Sequence, residues 1–299
     1  MKPHISVVVP LHNEEGNLPF LYQELKEVLE KLDVPYEILF VNDGSTDRTG
    51  EILMEIFQKD KHVKVVELDG NFGEAAALSA GFAFCKGEVV LTMDGDGQND
   101  PKDLPLLLEE LKKGYKAVSG WRKERKENFF KRVLPSKVAN WLIALITNCK
   151  IHDTGCGLKA YRTELVRGFQ IPHGFHRFLP ALFGVKGREV SEVVVKDRSR
   201  KAGKSHYGLY RILEVIRELL TIRFVLSGPK KWKNRFLKIN FILAILTGLG
   251  ILLGSLPLAT GFGGLLLISY AIYRNLKRFL QVQQRGAYRV KYFWTKEEE

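Results

Sequence analysis

Glu88-Val89-Val90-Leu91-Thr92-Met93 runs directly into Asp94-Gly95-Asp96-Gly97-Gln98-Asn99-Asp100-Pro101. The first half is a short apolar run of the kind that fills a strand buried on both faces; the second is a turn crowded with oxygen donors. An apolar strand that ends in acids predicts an open α/β sheet, in which ligands gather beyond the carboxyl ends of the strands.

Outward from this stretch the same punctuation repeats. ISVVV at 5–9, YEILFV at 36–41, VKVVEL at 63–68 and KAVSGW at 116–121 read as further strands, with helical periodicity over 17–32, 46–58, 73–85 and 102–113. This βαβα series predicts a Rossmann-like, mostly parallel sheet with helices on both faces. Beyond Trp121 the pattern loosens into a helix near 131–148, a strand-like turn at 154–161, a helix near 175–185 and a strand at 190–195.

Charge divides the chain. Residues 1–120 carry 12 Lys and Arg against 22 Asp and Glu, whereas residues 121–299 carry 34 against 12, within a net charge of +12 over 299 residues. A basic half suits nucleic acid, anionic lipid or a phosphorylated substrate. The apolar segments favour lipid: 236–256 and 257–273 are nearly uncharged and each long enough to approach a bilayer span, with a bend expected around 257–263. Lys230, Lys231, Lys233 and Arg235 precede them, and Arg274, Lys277 and Arg278 follow, so the positive-inside rule predicts a hairpin with both flanks cytoplasmic. Lipid phosphate therefore accounts for the basic half, and no nucleic-acid partner is expected. Leu209, Ile212, Leu213, Val215, Ile216, Leu219 and Leu220 form one stripe of an amphipathic helix at 207–226, suited to the membrane interface. Gly250 and Gly254 offer a small-residue pair for packing the hairpin or joining subunits into a homo-oligomer. Cys85, Cys149 and Cys156 are odd in number and lack metal-ligand spacing, which implies reduced thiols.

In the chemistry-bearing turn, Asp94 and Asp96 are two residues apart and Gln98 adds an amide oxygen, a hard-donor set suited to Mg²⁺ or Mn²⁺. A polar Asp/Gly turn is the plain alternative. The acidic front half favours the metal, because a nucleotide diphosphate approaches two carboxylates only with a divalent cation between them. Asp43, in Val41-Asn42-Asp43-Gly44-Ser45-Thr46-Asp47, can accept from a nucleobase or ribose, while Ser45, Thr46 and Asp47 read as a capping turn. His176 and Arg177 precede an apolar helix and are candidates for phosphate contact.

Seven segments in order, VVVPLHNEE, VNDGSTD, NFGEAAALSAG, MDGDGQNDP, HDTGCGLKAYR, HRFLP and RSRKAGKSHYG, resemble the family 2 glycosyltransferases of GT-A fold, and within them the dolichol-phosphate mannose synthase-like polyprenyl-phosphate sugar transferases. The resemblance implies that Pro10, Asn13, Glu14, Asp43 and Asn71 hold the nucleotide-sugar, with Asp94, Asp96 and Gln98 on the metal and the donor diphosphate. It implies catalytic roles for Asp96 and Arg122, and acceptor-phosphate contacts for Arg122, Arg125, Arg198 and Ser205. Two departures stand out: Ser205-His206-Tyr207 replaces the family's usual Ser-Lys-Tyr, so that the family's cation is here the titratable His206 or is supplied by Lys204, and Gly97 stands where a larger apolar residue is common.

The expected organisation is a GT-A catalytic domain at 1–206, a juxtamembrane helix and basic linker at 207–235, a transmembrane hairpin at 236–275 and a cytoplasmic tail at 276–299. The expected protein is a cytoplasmic-membrane enzyme with both termini cytoplasmic, moving a hexose from a GDP- or UDP-sugar to a polyprenyl phosphate. A polyprenyl phosphate is already ionised near neutral pH, so direct attack needs no protein base and inverts the anomeric centre. A polymerising synthase of the same fold would carry a Gln-x-x-Arg-Trp signature, which this sequence lacks. A non-catalytic nucleotide-sugar-binding membrane scaffold subunit is one alternative, against which the intact Asp94, Asp96 and Gln98 weigh; a same-fold transferase acting on another glycolipid acceptor is the second.

Overall fold

The computed structural model describes residues 3–123, 134–198 and 209–296. Strands β1 (Ile5–Leu11), β2 (Tyr36–Asn42), β3 (Val63–Leu68) and β4 (Val89–Thr92) alternate with helices α1 (Leu18–Glu30), α2 (Thr49–Lys59) and α3 (Glu74–Phe84). Then follow α4 (Leu104–Lys112), β5 (Ala117–Trp121), α5 (Leu134–Thr147), β6 (Lys159–Arg162), the single turns α6 (Thr163–Val166) and α7 (Leu179–Leu182), and β7 (Val190–Val194). The chain continues through α8 (Leu209–Leu226), α9 (Pro229–Leu252) and α10 (Leu256–Arg285) to a last strand, β8 (Val290–Trp294).

The eight strands among the described residues form one sheet in the order β7-β5-β6-β4-β1-β2-β3-β8. Pairs β1–β2, β1–β4, β2–β3 and β5–β7 are parallel; β6 runs antiparallel to both β4 and β5, and β8 antiparallel to β3. The central strands are buried on both faces, as their unbroken Val, Ile and Leu runs require. Leu18, Leu21, Leu25 and Leu29 of α1 pack on one face together with Leu104, Leu107 and Leu111 of α4. Helix α3 is buried almost all round, and Gly81 lets it lie against β1, since a Cβ there would stand 2.2 Å from Val8.

Two compact units emerge: Met1–His206 with Gly286–Glu299, and Tyr207–Arg285. The first is the mixed α/β unit. Strand β8 belongs to it, which the sequence pattern, reading 276–299 as a tail, does not anticipate. β8 is short, its side chains are mostly exposed, and it follows a basic helix end without strand-like alternation. Its aromatic residues nonetheless reach back, Phe293 onto Phe84 with ring centroids 4.4 Å apart.

In the second unit α9 and α10 are long and apolar enough to cross a membrane, and only 11% of each apolar window is buried, so neither is the core helix of a soluble fold. The chain is a membrane protein. The bend falls earlier than the sequence suggests: Gly254 takes φ +66° and the Ser255 N–H donates to the Gly250 carbonyl at 2.9 Å. Pro257 sits in the first turn of α10, where its missing N–H costs nothing. Gly250 packs within the hairpin, because a Cβ there would lie 2.7 Å from the Ala259 nitrogen.

Candidate active site

The polar residues singled out from sequence converge because β1, β2, β3 and β4 are parallel, so their carboxyl ends share one edge of the sheet. Asn13 and Glu14 follow β1, Asp43 follows β2, Asn71 follows β3, and Asp94 and Asp96 follow β4. Strand β6 enters from that same edge, so the loop containing Asp153 and Gly157 joins the group.

Hydrogen bonds knit the loops. Asn13, held at φ +57°, accepts the Thr46 N–H at 2.7 Å through Oδ1 and donates its own N–H to Ser45 Oγ at 3.0 Å. Glu14 donates its N–H to Thr49 Oγ1 at 2.9 Å and accepts from Asn17 Nδ2 at 2.7 Å. The Asp43 carboxylate accepts two backbone N–H groups, from Phe72 and Gly73, each at 2.7 Å. Burial raises its pKa despite those two bonds. Asp43 thus fixes the turn that opens α3, a second use for a residue the sequence assigns to the nucleoside. His12, which sequence reasoning passes over, joins three loops: Nδ1 donates to the Asp43 carbonyl at 2.8 Å and Nε2 accepts from Asn71 Nδ2 at 3.0 Å.

The acid turn is built around Asp94, whose N–H donates to Asn99 Oδ1 at 3.2 Å. Asp96 Oδ1 accepts the Gln98 N–H at 3.0 Å, closing the turn through Gly97 at φ +74°. That backbone conformation explains the glycine, since a larger side chain there would be strained. Pro10 flanks the turn, its carbonyl oxygen 2.9 Å from where a Cβ on Gly95 would stand. Gly157 is needed by Asp94 itself, because a Cβ there would lie 2.2 Å from the carboxylate.

Burial, then the charges of Glu74 and Asp96, push the Asp94 pKa up to about 7, against the pull of Lys159 and Arg122. Glu74, in the first turn of α3, is a member of the acid group that its place in an alanine-rich helix hides. His176 Nε2 lies 3.7 Å from Glu74 Oε2, which places it beside a member of the acid group. Arg177 follows it on the same tight turn. Among the described residues no three His, Cys, Asp or Glu side chains close round a metal-sized point. A pair of carboxylates fits Mg²⁺ or Mn²⁺ nonetheless, since such ions commonly take one or two carboxylates and complete their shell with substrate phosphate and water.

Arg122 is turned inward. Its Nε and a terminal nitrogen donate to the two Asp153 oxygens at 2.8 and 3.2 Å, a planar two-bond fork, and Asp197 lies 3.9 Å away. Burial works against the cation, but the Asp153 bonds outweigh it and raise the pKa. Arg198 is likewise engaged, pairing with Glu24 at 2.5 Å and Asp100 at 2.7 Å while its N–H donates to the Gln98 carbonyl at 2.9 Å. Arg198 braces the acid turn, whereas Arg122 holds the Asp153 loop beside it. His152 is structural, bonded to Glu192 at 2.6 Å and stacked on Trp121. Arg125, Lys204 and Ser205 lie outside the described residues.

The sequence profile described as glycosyl transferase family 2 matches residues 6–169. The chain is similar to a dodecaprenyl-phosphate galacturonate synthase from Rhizobium johnstonii, 38% identical over 74% of this chain and 66% of that protein. It is also similar to an undecaprenyl-phosphate 4-deoxy-4-formamido-L-arabinose transferase from Pectobacterium atrosepticum, 36% identical over 73% and 67%. The chain thus spans about two thirds of the length of these relatives. Among solved structures, glucosyl-3-phosphoglycerate synthase from Mycobacterium tuberculosis, in complex with Mn²⁺ and UDP-glucose, superposes with a TM-score of 0.57 at 20% identity over 76% of this chain and 79% of that one, a likeness of fold. The mostly parallel sheet, the acid pair at its carboxyl edge and the profile match over more than half the chain agree: this protein belongs to glycosyl transferase family 2.

Proposed function

We propose that this protein transfers a sugar from a nucleotide-sugar to a polyprenyl phosphate at the cytoplasmic face of a membrane, with inversion at the anomeric carbon. The observation that carries the reading is the acid pair Asp94 and Asp96 at the shared carboxyl edge of β1–β4, beside the loop cluster of Asn13, Asp43 and Asn71. Two relatives named for polyprenyl-phosphate substrates support the acceptor class.

In this reading Asn13, Glu14, Asp43 and Asn71 shape the nucleoside end of the cleft. Asp94, Asp96 and Gln98 hold a divalent cation, which when bound neutralises the charge of the departing diphosphate. The chain's own contribution is positional: Gly157 leaves space for the Asp94 carboxylate, Arg122 and Asp153 form a rigid wall beside it, and Arg198 straps the turn to the segment that precedes residues 199–208. No protein base is required, because a phosphomonoester carries its nucleophilic oxygen already ionised at neutral pH. The remaining task is to hold two anions in line, a matter of orientation and charge compensation.

Purified protein is incubated with polyprenyl phosphate, Mg²⁺ or Mn²⁺ and a panel of labelled GDP- and UDP-sugars, and lipids are extracted. Label in the lipid phase with one donor, lost on chelation and restored by the cation, is the expected result. A folded preparation that labels no lipid with any donor overturns the reading in favour of a binding scaffold. Product that keeps the donor's anomeric configuration overturns single displacement.

A further inference from the structure

Within the helical unit, α8 and α10 enclose an open groove of about 250 Å³ lined by Ile216, Arg217, Leu220, Leu267, Ile268 and Ile272. Its walls are aliphatic, with Ile216, Leu220, Leu267 and Ile268 exposed and Ile272 buried at its floor, and Arg217 is the one charged residue among those that line it. The Arg217 Nε is buried and has no hydrogen-bond partner. Polar contacts beside it fix the two helices without using the guanidinium. Thr221 Oγ1 donates to the Arg217 carbonyl at 2.7 Å, and Asn275 Nδ2 donates to Thr221 Oγ1 at 3.2 Å.

A guanidinium held against hydrocarbon with an unused donor is costly, and an anionic oxygen in the groove relieves that cost through charge-assisted hydrogen bonds. Aliphatic walls on either side call for a hydrocarbon chain on the same molecule. The groove's α10 residues, 267–272, end just before Arg274, Lys277 and Arg278, where an apolar span gives way to cations and lipid headgroups reside. One cation matches one negative charge. A phosphodiester carries a single charge, whereas a phosphomonoester carries about −1.5 to −2 at pH 7 and would leave surplus charge in the groove.

We propose that this groove binds one anionic phospholipid, its phosphodiester on Arg217 and an acyl chain along Ile216, Leu220, Leu267 and Ile268. The lipid clips α8 to α10 beside the Thr221–Asn275 contact. Bulk phospholipid fills such a site by mass action, without a dedicated supply.

Full-length protein in mild detergent is mixed with phosphatidylglycerol or phosphatidylcholine, and retained lipid is counted by native mass spectrometry. Wild type is expected to retain one phosphatidylglycerol per chain and at least about tenfold less phosphatidylcholine. Arg217→Gln is expected to lower phosphatidylglycerol retention about tenfold or more. Leu220→Trp, which fills the groove and leaves the guanidinium in place, is expected to do the same and guards against a folding defect in the first variant. Equal retention of the two lipids by wild type overturns the proposal, as does undiminished retention in both variants. Displacement of phosphatidylglycerol by an equimolar polyprenyl phosphate also overturns it, assigning the groove to the acceptor instead.

Discussion

Gly157 and Asp94 stand so close that the missing side chain of one makes room for the carboxylate of the other: a Cβ on Gly157 would lie 2.2 Å from both Asp94 oxygens. Gly157→Ala must therefore displace either the carboxylate or the entry to β6. We expect a loss of about 1–3 kcal/mol in stability, typical of an overpacked site, and a fall in turnover accompanied by weaker Mn²⁺ activation. A metal titration of activity checks this; an alanine variant with wild-type turnover and cation dependence would show that Asp94 has another place to go.

Asp94 also makes stability depend on pH. Its folded pKa is raised to about 7 from an ordinary 3.8, so the fold disfavours the charged carboxylate. The resulting cost is absent below the unfolded value, grows as pH rises towards 7 and is complete above it. Asp94→Asn removes that cost. Metal-free variant and wild type should melt alike near pH 4, and the variant should melt higher above pH 7, by the equivalent of a few kcal/mol at most. Transfer activity should be lost throughout. Matched melting curves at pH 8 would refute the electrostatic account.

The Arg122–Asp153 fork predicts strong coupling. Asp153→Ala leaves a buried guanidinium without its partner, and Arg122→Ala leaves a buried carboxylate, so each should cost about 3–5 kcal/mol. The double variant should cost much less than the sum, as read from denaturant unfolding of the four proteins. Arg122→Lys should not rescue, because an ammonium cannot reproduce the planar two-bond geometry.

Asp43 is expected to affect the donor through the turn it holds. Asp43→Ala frees the Phe72 and Gly73 amides and should raise the KM for nucleotide-sugar at least about tenfold, as expected for loss of two charge-assisted bonds. The acceptor KM should change little. Parallel rises in both constants would point to general misfolding instead.

The sequence discloses most of the sheet because the buried parallel strands are unbroken Val, Ile and Leu runs, and their parallel sense follows from the alternation with helices, although not their order, in which β4 returns beside β1. It also discloses the acids, since Asp43, Asp94 and Asp96 fall where apolar runs stop. Less legible is anything that depends on a partner distant along the chain. Nothing around Arg122 signals that Asp153, thirty-one residues on, captures it, and Arg198 pairs with Glu24 across 174 positions. Glu74 is masked by its alanine-rich helix. Strand β6 slips between β4 and β5 although it follows both in sequence, a placement no periodicity encodes.

The late return of β8 to the sheet bears on how a water-soluble fragment could be made. Ending the chain before the helical unit would strip the partner from β3 and leave that strand's backbone open to edge-to-edge aggregation. Removing Tyr207–Arg285 while retaining Gly286–Glu299 would excise the helical unit and leave β3 its partner strand.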